Sequence, residues 1–147
     1  MDPNRRLLPC LVMGLFFVPL TAAQADHDRP AGYRLTSVAL RVRDSALRYE
    51  RTVCGCHHLR AERLFAQLAV KRAERLVESL HCGAPWGRVW GDYAVLNAQL
   101  RVIERRIDEI GRHGHFDPAV AQAWERLHCD WRELDEHMAA FHGRARR

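Results

Sequence analysis

Residues 86–111, WGRVWGDYAVLNAQLRVIERRIDEIG, decide the fold. Trp86, Val89, Tyr93, Leu96, Leu100, Ile103, Ile107 and Ile110 recur at alternating steps of three and four. That spacing returns to one face of a 3.6-residue helix, whereas a half-buried strand would alternate every second residue. Arg101 falls on the opposite, outer face. Gly111 closes the stretch, and Gly83-Ala84-Pro85 precedes it, with Pro85 suited to a first helical position.

The same periodicity extends outward on both sides. After Asp117-Pro118, which reads as an N-cap followed by proline at the first helical position, come Val120, Trp124, Leu127, Trp131, Leu134, Met138 and Phe141, ending at Gly143. Upstream, Leu35, Val38, Val42, Ala46, Tyr49 and Val53 form one stripe before Cys54-Gly55-Cys56 interrupts it. A narrower stripe of Ala66, Ala69, Ala73, Leu76 and Leu80 lies between His57 and His81. Alanine there lets a neighbouring helix approach closely. Four helices on short links predict an all-α, up-down-up-down four-helix bundle over residues 34–143. An alternative stays open: the first two stripes differ in phase by about one residue. A long first helix kinked at Gly55, with a helical hairpin and a homodimer, fits them as well.

Residues 1–25 read as a cleaved signal peptide. Arg5 and Arg6 precede an apolar run from Leu7 to Leu20, and Ala23-Gln24-Ala25 suits signal peptidase, giving a mature start at Asp26. The run is shorter than the ~20 apolar residues that span a bilayer, so the mature chain has no membrane span. Cys10 precedes the apolar core rather than following it, which disfavours a lipoprotein. The expected location is the periplasm of a bacterium. Residues 26–33 are a polar lead-in and 144–147 a basic tail. Processing removes Arg5, Arg6 and Asp2 and takes the net charge from +5 to +4. That mild, interspersed charge does not make a nucleic-acid groove. About 122 residues suit one domain with one core.

All nine histidines and four of the five cysteines lie after residue 25. Four cysteines in an exported domain ordinarily suggest two disulfides. The helix layout opposes that, because Cys54 and Cys56 fall at one end, Cys82 at the other, and Cys129 in mid-helix. The densest constellation is Cys54-Gly55-Cys56-His57-His58, to which the third link adds His113 and His115. Thiolate with imidazole is the ligand chemistry of zinc or copper(I), so these six are the candidate metal ligands. A Cys-x-Cys lacks the two-residue spacing of common zinc knuckles and of covalent haem attachment.

The opposite end gathers Tyr33, Trp86, Trp90 and Phe141, with His137 and His142 nearby. Trp90 lies off the main stripe, and Gly87 and Gly91 expose backbone one turn apart. These three are the candidate partner contacts. Catalysis finds no motif: Ser37, Ser45 and Ser79 sit in helices without an oxyanion loop. Glu104 and Asp108 read as a solvated face. The leading expectation is a non-enzymatic exported bundle that acts through contacts with an unidentified protein partner, as an accessory, inhibitor or chaperone-like factor. Metal binding or sensing is the alternative, and thiol-redox work at Cys54 and Cys56 the second.

Overall fold

The computed structural model describes residues 29–57, 59–112 and 117–145. The expected signal peptide, the beginning of the expected lead-in and the end of the expected tail lie outside them. Four helices follow one another: α1 (Arg29–Gly55), α2 (Arg60–His81), α3 (Trp86–Arg112) and α4 (Pro118–Ala145). Helix α1 begins inside the span expected to be lead-in. Pro30 permits this because a helix's first turn needs no amide donor there. Among the described residues no strand occurs, and no helix is long and apolar enough to cross a membrane.

Each boundary has a local cause. Gly83 takes φ +62°, a left-handed conformation that favours glycine. It closes α2 as the Ala84 amide donates to Ser79 O at 2.9 Å and the Gly83 amide to Leu80 O at 3.3 Å. This paired closure satisfies carbonyls that the helix end would leave open. Pro85 stands one place earlier than expected, as the residue whose carbonyl accepts from Arg88 and Val89. At α4 the expected cap is present: Asp117 Oδ1 accepts the Ala119 amide at 2.8 Å, with Pro118 next. The link from Cys56 to Leu59 turns the chain back, so α1 and α2 form an antiparallel pair rather than one kinked arm.

The four stripes meet in a single core. Val42, Ala66, Leu76, Leu100, Val120, Leu127, Leu134 and Met138 are fully enclosed. The four seams differ in width. Helix α1 lies close to both α2 and α4, and α2 close to α3, yet among the described residues no Cα of α3 comes within 8 Å of a Cα of α4. Side-chain size explains the contrast. The bond from the Ser45 hydroxyl to Asp130 marks the side of α1 that faces α4. Ala39 and Ala46 lie on its other side, toward the Ala66–Ala73 stripe of α2. Between α3 and α4 stand Trp86, Trp90, Tyr93, Trp131 and Phe141, which hold the backbones apart.

Polar groups tie the close seams. Gln99 is 5 % exposed, and its amide donates to Phe65 O at 3.1 Å while accepting from Arg72 at 2.9 Å. Ser79 donates to Asp92 at 2.5 Å. Glu62, only 6 % exposed, pairs with Arg106 at 2.8 Å. Burial of these groups is tolerable because each is bonded.

Burial raises the phenol pKa of Tyr49, with the Glu62 charge adding to it. Burial raises that of Tyr93 as well, helped by its hydrogen bond to Asp135 and that carboxylate's charge. Above the ordinary tyrosine value near 10, the unfolded chain therefore loses protons that the folded chain retains. Stability is fully present below about pH 10 and falls above it, by at most about 1.4 kcal/mol per pH unit for each phenol. Melting temperatures between pH 8 and pH 11 should show this decline. Tyr49→Phe and Tyr93→Phe should each make it shallower.

Candidate functional site

The Cys-x-Cys turn and the start of α4 lie at the same end of the bundle. Cys56 Sγ lies 3.4 Å from Asp117 Oδ2, 61 residues on, with Cys54 and Cys56 both half-buried and His57 exposed. The thiol donates to the carboxylate. Burial first, then that hydrogen bond and the Asp117 charge, push the Cys56 pKa up and hold the sulfur protonated. Of the six expected ligands, His58, His113 and His115 lie outside the described residues. Among those described, no three His, Cys, Asp or Glu side chains are grouped to hold a metal ion.

The disulfide expectation is corrected. Cys54, Cys56, Cys82 and Cys129 are all free, the last two exposed. Cys82 lies in the second link at the far end, and Cys129 faces outward on α4, so neither meets the other pair. Glu104 is not merely solvated, since its carboxylate lies 3.2 Å from His128 Nε2 across the α3–α4 seam.

The opposite end is an aromatic stack. Trp86 meets Phe141 at 4.6 Å between ring centres, and Trp90 lies nearly parallel to the His142 ring at 4.6 Å. Trp90 also touches Trp86 at 6.4 Å and Tyr93 at 5.4 Å. Tyr33 does not join them: it is 79 % exposed, because its position on α1 turns away from the core face set by Leu35 and Val38. His137 instead faces Glu133 at 3.9 Å, one turn back on α4.

The α3–α4 seam is where bundle packing is least complete. Trp86 Nε1, Asn97 Oδ1, Trp131 Nε1 and His142 Nδ1 are buried without a hydrogen-bond partner among the described residues. All four belong to α3 or α4. Trp131 is 5 % exposed, so its indole N–H has little access to solvent. Two openings follow the seam: one of about 550 Å³ between Ile107, Gly111, Ala121 and Trp124, and one of about 280 Å³ beside Arg101, Glu104, His128 and Asp135. Gly87 and Gly91 are exposed on the outer flank of α3, and a Cβ added at either meets nothing within 4 Å. The sequence signal for this seam was the run of tryptophans; the orphaned polar atoms needed coordinates.

No protein-family model matches the chain, and neither a curated protein nor a solved structure is significantly similar to it.

Proposed function

We propose that this chain is an exported, non-enzymatic helical bundle that works by docking a protein partner on α3 and the α3–α4 seam. The observation that carries this reading is the seam itself. Its backbones stand apart, its buried indole, amide and imidazole atoms are unpartnered, and the adjoining flank has glycines with open space before them. Leaving a buried polar group unbonded costs about 1–3 kcal/mol. Opening of the seam as a partner docks gives those atoms partners, and the partner's apolar side chains extend the aromatic stack at Trp86 and Trp90. Helix-interior glycine costs about 0.5–1 kcal/mol relative to alanine, and among the described residues nothing lies within 4 Å of a Cβ placed at Gly87 or Gly91.

A photoreactive side chain at Ala94, exposed on α3, should form a discrete adduct in cells that export the protein. One at Lys71, on the outside of α2, should not. An adduct of twice the chain mass identifies the partner as a second copy. No adduct at Ala94, or equal adducts at both places, refutes the docking face.

A further inference from the structure

A second groove, between α1 and α4, differs in kind from the openings along the α3–α4 seam. It encloses about 460 Å³ and is lined by Ser45, Arg48, Arg51, Thr52, Ala119, Gln122, Ala123 and Arg126. The spacing explains why these meet. Arg48, Arg51 and Thr52 share one face of α1 at steps of three and four, as Ala119, Gln122, Ala123 and Arg126 do on α4. The two alanines leave the floor open, and the arginines and Gln122 rise around it.

Charge sets this groove apart. Both seam openings mix signs, with Asp108, Arg112 and Glu125 in one and Arg101, Glu104, Arg132 and Asp135 in the other. The α1–α4 groove carries three guanidiniums and no acidic side chain in its lining. One carboxylate, Asp130, lies beside the lining and accepts from the Ser45 hydroxyl. Like most arginines among the described residues, Arg48, Arg51 and Arg126 form no ion pair, and what distinguishes them is that three of them line one groove. Helix α4 forms the other wall, from Ala119 to Arg126.

We infer that this groove binds a phosphate group, held by Arg48, Arg51 and Arg126. Guanidinium forks match phosphate oxygens two at a time, and they stay charged at any physiological pH. A phosphate offers oxygens in three directions and close to two negative charges. A carboxylate offers two oxygens and one charge, and cannot engage three arginines on two helices equally. The Gln122 amide adds a neutral donor. The group can arrive on a soluble phosphomonoester or on a phosphomonoester lipid headgroup, since both present three terminal oxygens.

The test uses the full chain at low ionic strength. Pyrophosphate is titrated calorimetrically, and in a parallel arm sedimentation is followed with phosphatidic acid vesicles and with phosphatidylcholine vesicles. Saturable binding of one pyrophosphate per chain supports the site and a soluble source. Binding only to the phosphatidic acid vesicles supports it with a lipid source. In whichever arm binds, Arg48→Gln, Arg51→Gln or Arg126→Gln should weaken binding about tenfold or more. Arg63→Gln and Arg88→Gln, which remove equal charge from exposed places elsewhere, should change it less than about twofold. Arg51→Lys keeps the charge but loses the fork and should still weaken binding, with circular dichroism confirming an intact fold. No saturable binding in either arm overturns the inference. So does equal weakening by the control substitutions, which would reduce the effect to net charge.

Discussion

Leu100→Ala is expected to lower the unfolding free energy by about 2–5 kcal/mol, the range for emptying a well-packed aliphatic site. Leu100 is fully enclosed at mid-height of α3, among the core residues that all four helices contribute. The side chain's loss removes transfer energy, and the cavity left behind adds to it because the surrounding helices cannot collapse freely. Arg105→Ala is the matched control, since Arg105 is exposed and bonds only its own helix at Arg101 O. It should change stability by less than about 0.5 kcal/mol. Arg101 is a poor control despite its outer position, because its guanidinium lies over the Trp131 ring at 5.7 Å. Midpoints of urea unfolding measure both. Equal shifts for Leu100→Ala and Arg105→Ala would mean that α3 presents a different face to the core.

The stripes that predict the helices also predict the core, because burial follows the 3.6-residue period directly. Every α3 residue of the stripe from Val89 to Ile103 is buried. The alanine run of α2 likewise announces a narrow seam. Sequence periodicity does not reveal which polar residues reach across a seam. Gln99 and Glu62 sit at stripe-adjacent positions that look like boundary surface, and only the neighbouring helix supplies Arg72, Phe65 O and Arg106 as their partners. The same limit governs the sites. Spacing places Cys56 near the third link, yet its nearest described polar partner there is the α4 cap Asp117, whose helical role alone was legible. The arginines of the α1–α4 groove went unremarked because they lie on two helices more than seventy residues apart, inside mixed-charge segments. Their significance comes from the two helix faces that meet in one groove, which is a property of the fold rather than of the chain.

One substitution made in two seams tests the unequal packing on which the docking proposal rests. Ala73→Leu introduces three extra carbons at a site 1 % exposed on the α1-facing side of α2. The close approach of α1 and α2 leaves no space for them, so side chains must leave their rotamers or the helices must separate. The expected loss is about 1–3 kcal/mol. Ala121→Leu adds the same carbons on α4, where Ala121 lines the opening of about 550 Å³ beside Ile107 and Trp124. There the new side chain covers apolar surface without displacing any, and leucine is as good a helix former as the position needs. Stability should stay within about 0.5 kcal/mol of the parent or rise. The substitution is the same, so helix propensity cancels in the comparison, and what differs is the space around the side chain, enclosed at Ala73 and half-open at Ala121. If Ala121→Leu proves as costly as Ala73→Leu, then α3 and α4 close upon each other in solution. The unpartnered indoles of Trp86 and Trp131 would then find partners inside the bundle, and the docking face would lose its physical basis.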